Sequence, residues 1–440
     1  VDNEPHDMAT RGDRLDGLAD SDAQRVRCTL ARTNAYKTRG EFAAVVELAQ
    51  AALPLAGADA ELQVLVRSEL GGGLSMLDRH EEALPHMQGA LAWLDVHGSE
   101  LDRATAHGEL AIALDNSGRL DEALPHHHKA YELSRRLGEI PLLGSASGNL
   151  ACNRIDAGDL DAADHALARG QQWLASSDGH QTQAAVLQLL RTLVLASQER
   201  YAEALAQVQL ALDTTRRFQP IYLPRAQLRE AQLWALLGQW GRVNQSLQTV
   251  APMLPESGWA PRLMHAVLQL QLARLGVGDA DAAWRAMEQL REEIGPHIRP
   301  DLRLPLRIEL AARLSPDEAW IELDTMAREA LRLGHRGSAM AAWVRAAGLP
   351  SIAVPRAKAA AEAALDLWQK GVRSVNLAPA ETWLHIGHGL RTAGDARYQA
   401  LWREGAARLR HVAAEQVPEP FRDSYLRRQP LHTTLLRTAS

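Results

Sequence analysis

The chain has 440 residues, a formal net charge of −6, and a composition that is 46% hydrophobic but only 5% aromatic. One compact core rarely grows to this length, so size alone asks for several domains or an array. Acids and bases are interspersed, which argues against a nucleic-acid surface over the whole chain, and the two cysteines, Cys28 and Cys152, are too few for a disulfide framework or a Cys-based zinc site.

Residues 1–21 begin at Val1 in polar helical sequence and read as a helix or linker from an upstream domain that is missing here. No run of about eighteen apolar residues could span a bilayer, and there is no signal peptide, so a soluble, cytoplasmic chain without membrane contact is expected.

From residue 22 to residue 295 the sequence repeats. A small residue recurs at Val45, Ala83, Ala123, Ala163, Ala204, Val243 and Ala283, at intervals of 38, 40, 40, 41, 39 and 40. A fixed period of this size means one helical hairpin copied about seven times and stacked. Twelve residues before most landmarks stands another small residue (Gly71, Ala111, Ala151, Ala231), and seven after stands a third (Ala52, Ala90, Ala130, Gly170, Ala211). Small side chains at these points let neighbouring helices approach closely. A glycine commonly marks the turn between helices (Gly40, Gly118, Gly158, Gly238, Gly278), and a bulky apolar plug follows two residues later, as at Phe42, Leu120, Leu160 and Trp240. Pro85 and Pro125 are expected in the first turns of their helices, where a missing N–H does little harm.

This order of small residue, glycine, aromatic and paired small residues resembles the tetratricopeptide repeat in its longer form of about forty residues. Glu-Ala-Leu-Pro-His at 122–126, with a near copy at 81–86, is similar to the second-helix opening common in that form. The first-helix Trp is missing and the terminal Pro is usually absent, which is a departure from the shorter form. The resemblance implies an all-α, right-handed superhelical solenoid of antiparallel helical hairpins.

Beyond the repeats, residues 296–378 read as degenerate hairpins, with helical stretches near 317–333, 335–347 and 353–370 and a break at Pro350 and Pro355. Residues 379–440 read as a C-terminal helical cap whose core is a pair of helices at 380–393 and 395–416, since an end repeat must present a polar outer face. The stretch Pro418-Glu419-Pro420-Phe421-Arg422-Asp423-Ser424-Tyr425-Leu426 resembles the C-terminal end of bacterial signal-transduction ATPases and transcriptional activators that carry a repeat arm. The resemblance implies a regulatory arm that senses or docks a partner.

In a tetratricopeptide array the first helix of each hairpin lines the concave wall. Its sixth position is Ala31, Glu69, Glu109, Asn149, Leu190, Arg229 and Gln269, so 69, 109 and 149 form a polar ladder at one height. Neighbouring wall positions add Asn34, Lys37, Asp115, Asn116 and Asp156, and Arg225 with Arg229 begins a basic patch further on. Asn and Gln side chains can satisfy both N–H and C=O groups of an extended peptide, and acidic residues attract basic segments.

Other constellations read as structural. Adjacent residues on a helix point about 100° apart, so His126, His127 and His128 cannot converge on one ion, and His127 is expected as a buried, satisfied imidazole. Gly71-Gly72-Gly73 lacks the Lys and Ser/Thr of a phosphate loop and falls inside a first helix, where it suggests close packing or a bend. Most of the tryptophans fall on apolar stripes and read as packing. Neither Gly-x-Ser-x-Gly nor His-Glu-x-x-His occurs, so no enzyme, metal or cofactor is expected. The leading reading is a non-enzymatic module that binds a protein or peptide and relays the event to an upstream effector, without direct nucleic-acid binding and with self-association left open. A free-standing scaffold is the second reading, and a sensor with a small-molecule pocket is the third.

Overall fold

The structure, a computed structural model, describes residues 19–176, 179–294 and 299–439. Most of the expected N-terminal segment 1–21, and the expected boundary at 295–296, lie outside the described residues. Within them every regular element is a helix. The chain divides into two compact units at Asn149–Leu150.

The first unit stacks three hairpins: Asp22–Thr38 with Phe42–Leu55, Ala60–Met76 with His80–His97, and Glu100–Asn116 with Leu120–Leu137. Local sequence explains the ends. Ser99 caps the third hairpin's first helix, accepting from the Asp102 amide while the Asp102 carboxylate accepts from the Ser99 amide, so two otherwise orphaned donors are satisfied. The core runs through Val26, Val46, Leu70, Leu84, Leu110 and Leu114.

All seven landmark residues of the two units, Val45 through Ala283, have 0% of their surface exposed. They sit where helices cross, and a larger side chain there would force the backbones apart. Five residues before each landmark the backbone is left-handed, with φ of 74° at Gly40 and Gly118, 80° at Gly158, 70° at Gly238 and 100° at Gly278. Two repeats adopt the same turn without glycine, at Asp78 (φ 57°) and Glu199 (φ 63°). The repeat geometry therefore overrides the side chain's own preference, which disfavours this region for most L-residues.

Pro85 and Pro125 do not stand in first turns. Their helices begin at His80 and Leu120, which makes each proline the sixth helical residue. Each removes an amide that would have bonded the carbonyl four residues back, at Glu81 and Asp121, and both of those residues are exposed to water.

The glycine triplet does not interrupt its helix, which runs from Ala60 to Met76. A Cβ on Gly71 would come within 2.7 Å of Met87 Cγ, and one on Gly73 within 3.0 Å of Val46 Cγ2 and 3.2 Å of Val45 Cγ1. Gly72 faces open space.

The second unit continues with helices Leu160–Ala175, Gln181–Ser197, Tyr201–Phe218, Leu223–Leu236, Trp240–Val250, Trp259–Ala273 and Ala280–Ile294. The degenerate stretches form Pro316–Arg332, Arg336–Ala347 and Val354–Gln369, preceded by Pro300–Leu310. The last long pair is Pro379–Thr392 and Arg397–Glu415, followed by the short helices Arg422–Arg427 and Pro430–Thr438. The segment expected as an end cap packs back onto earlier repeats of this unit: Trp402, Leu409, Tyr425 and Leu435 share a core with Tyr201, Trp234, Leu237 and Leu268. Polar contacts fasten the return. Arg408 Nε donates to Glu199 Oε2 at 2.7 Å, Ser424 Oγ donates to the Leu237 carbonyl at 2.7 Å, and Trp240 Nε1 donates to the Arg428 carbonyl at 2.9 Å. Gly238 makes room for it, since a Cβ there would lie 2.5 Å from the Ser424 carbonyl oxygen.

The different surroundings of the glycine triplet generate a test. Gly72→Ala is expected to stabilise the protein by about 0.5–1 kcal/mol through helix propensity, whereas Gly73→Ala is expected to destabilise it by crowding two valines. Urea unfolding of the two variants distinguishes these signs.

Candidate functional site

Among the described residues, two clusters of partly desolvated polar groups bear on a binding role. The first is the wall of the first unit. Helices Asp22–Thr38, Ala60–Met76 and Glu100–Asn116 are the first members of its hairpins, and they bring Lys37, Glu69 and Glu109 together. Lys37 Nζ donates to Glu69 Oε1 at 2.7 Å, with the Glu69 side chain only 18% exposed and its Oε2 without a partner. Glu109 is reachable by solvent, yet so much protein surrounds its carboxyl that burial raises its pKa; Lys37 lowers it and the Glu69 charge raises it further. One cation thus serves two carboxylates.

The other expected wall residues fare differently. Asn34 is exposed, and Asn116 and Asn149 are half-buried. Asp115 accepts from the buried His127, with Nε2 to Oδ2 at 2.6 Å, so it is engaged in holding a core imidazole. Asp156 lies in the second unit, where its Oδ1 is 3.8 Å from His335 Nδ1. His126 packs against His107 with Nδ1 to Nδ1 at 2.8 Å, and His107 Nε2 lies 3.2 Å from Asp95. One ring nitrogen of the pair must donate and the other accept, so at least one imidazole is neutral. Among the described residues no group of three His, Cys, Asp or Glu side chains is placed to hold a metal ion.

The second place is a cavity of about 620 Å³ inside the second unit. Its apolar wall includes Leu193, Leu233, Leu236, Leu268, Ile308 and Leu349. Its charged groups are Arg229, Arg345, Glu309 and Glu381, with Arg274 also on the lining. Arg345 Nη1 lies 2.6 Å from Glu309 Oε1 and its Nε 3.0 Å from Glu381 Oε1. Burial opposes the Arg345 charge, but the two carboxylates outweigh it and raise its pKa. Burial would likewise raise Glu381, yet Arg345 and His385 hold it below the usual carboxylate value. Burial leaves His385 below the ordinary histidine value.

Arg229 is the exception. It is 6% exposed and, among the described residues, no carboxylate pairs with it. Nη1 donates to Gln232 Oε1 at 2.6 Å, while Nε has no partner. Burial, and then the Arg225 cation one turn earlier on the same helix, push its pKa down to about 9. It remains charged at neutral pH. Arg225 is half-buried and its Nε also lacks a partner. The expected basic patch is therefore a sunken cation beside a more open one.

The repeat register identified Arg229, since it occupies the sixth position. Nothing local marked Arg345, which stands in an alanine-rich helix, or Glu309 and Glu381, which come from other hairpins. Of the tryptophans expected as packing, Trp234, Trp343 and Trp402 are buried. No helix of the described residues is long and apolar enough to cross a membrane, and no disulfide joins Cys28 and Cys152.

No known family profile matches this chain, and no curated protein sequence does. Solved structures do. The apo form of RapI superposes with a TM-score of 0.52 at 13% identity, covering 61% of this chain and 98% of that one. A Rap protein complexed with competence and sporulation factor gives a TM-score of 0.50 at 13% identity, covering 82% of this chain and 97% of that one. A signal-transduction ATPase with a tetratricopeptide repeat sensor from Pyrococcus horikoshii matches at a TM-score of 0.41 and 12% identity over 84% of this chain and 53% of its own length. At these identities the likeness to the Rap structures defines the fold: an array of tetratricopeptide-like helical hairpins.

The buried His107 and the half-buried His86 and His126 of the first unit generate a pH dependence. Burial is the largest cause that lowers the pKa of His86, His107 and His126 below the ordinary 6.5. The unfolded chain therefore takes up protons before the native state does, and stability falls as pH drops through about 6.5; the raised Glu109 and Glu199 act in the opposite sense at lower pH. Melting temperatures are expected to decline between about pH 7.5 and about pH 6, and a flat profile there would contradict the assignment.

Proposed function

We propose that this chain is a non-enzymatic interaction module whose first unit captures an extended protein or peptide segment of basic character. The observation that carries the reading is the sharing of Lys37 between Glu69 and Glu109, which leaves these three side chains one negative charge in excess. A basic side chain of the partner relieves this excess, and Asn34, Asn116 and Asn149 offer amides to its backbone. The same fold in a Rap protein complexed with competence and sporulation factor supports ligand capture by hairpins of this kind. We assign the chain to the cytoplasm as the regulatory arm of a larger bacterial signalling or transcription-regulating protein, on the resemblance of residues 418–426 to such arms. An ATPase or DNA-binding motif encoded upstream supports that role, and a start codon directly before Val1 favours a free-standing scaffold instead.

The groove is tested with an array of extended Lys- and Arg-containing peptides. Glu69→Gln combined with Glu109→Gln should weaken capture about tenfold and flatten its salt dependence, while the melting temperature changes little, because losing the like-charge contact offsets losing the Lys37–Glu69 ion pair. Unchanged capture by the folded double variant rules out this wall as the binding site.

A further inference from the structure

Arg229 and Arg345 line the same cavity and differ in one respect. Arg345 has two carboxylates within ion-pair distance, and Arg229 has none among the described residues. A guanidinium taken out of water with only one amide oxygen for company is uncompensated, and proteins rarely keep such a group without a counter-ion. Its Nε is unpartnered, and it stands beside Leu233 and Leu236 on a cavity of about 620 Å³, within the range typical of small-molecule sites. A guanidinium fork matches a carboxylate or a phosphate in two parallel hydrogen bonds.

The remaining charges choose between these anions. The lining carries three cations, Arg229, Arg274 and Arg345, against two carboxylates, Glu309 and Glu381, which already hold Arg345, so one positive charge is in excess. A monoanion neutralises that excess, whereas a dianionic phosphate would overshoot it and face Glu309 and Glu381. The leucine and isoleucine lining asks for an apolar body behind the charged end.

We propose that the cavity of the second unit binds an apolar molecule that ends in a carboxylate, with Arg229 as its counter-ion and Gln232 orienting the guanidinium. This goes beyond capture on the first unit: the ligand class is different, and every lining residue belongs to the second unit. A free alkyl carboxylic acid and the C-terminal residue of an apolar peptide both supply this chemistry.

Isothermal titration calorimetry on the full chain tests the proposal with decanoate, decan-1-ol, and N-acetyl-trileucine with a free or an amidated C-terminus. Decanoate binding about tenfold or more tighter than decan-1-ol, with the preference lost in Arg229→Met, supports a free acid. Binding of the free-carboxylate peptide but not of its amide or of decanoate supports a peptide terminus. Arg229→Met is also expected to melt higher than the parent, because an uncompensated buried charge is gone. Equal affinity for decan-1-ol, undiminished binding to Arg229→Met, or no binding of either carboxylate overturns the proposal. If Arg229→Met fails to fold, Gln271→Trp, which adds bulk on the cavity wall, must abolish carboxylate binding, and retained binding overturns the proposal equally.

Discussion

Close approach of helix backbones at small side chains is the constraint on which everything else in this protein rests. Complete burial at seven landmarks, five alanines and two valines, holds the paired helices of each hairpin close together. That packing fixes the turn as well. Asp78 and Glu199 accept a left-handed backbone because the helices on either side are already placed by their packing. It also lays the first helices side by side, and so lets Lys37, one helix over and further along than Ala31, the register equivalent of Glu69, reach Glu69 at 2.7 Å although the two are 32 residues apart.

The two units treat charge in contrasting ways. In the first, carboxylates outnumber the cation between them on a surface that water still reaches, so the imbalance is mild and available to a partner. In the second, Arg345 is compensated by Glu309 and Glu381, while Arg229 is deeply buried and, among the described residues, compensated by nothing charged. Buried ion pairs contribute little net stability, but an unpaired buried charge is a standing cost, and its retention points to a ligand.

The likeness to Rap structures extends to the fold and stops there, because hairpin arrays of this kind present different walls on the same scaffold. What distinguishes this chain lies in particular side chains. Asp115 shows how easily a wall position becomes a core support: the repeat register puts it on the wall, and the neighbouring His127 recruits it as a hydrogen-bond acceptor. The return of the C-terminal helices is equally individual, since it depends on Ser424 reaching the Leu237 carbonyl and on Gly238 leaving space for the approach.

Most of the architecture was legible in the residues themselves. The period of the small landmarks, the turn glycines and the helical stretches after residue 300 are local patterns, and helix formation and hairpin packing obey interactions between residues a few positions apart. The sequence also marked Glu69, Glu109 and Arg229 as equivalent positions, but it could not say that the first two flank a lysine while the third is sealed beside a cavity. Those outcomes depend on partners far along the chain: Glu199 meets Arg408 across 209 residues, and the cavity draws its walls from hairpins that share no local pattern. Periodicity places a side chain on a face. Only the folded chain decides whether that face meets water, another helix, or a cavity with a charge to be answered.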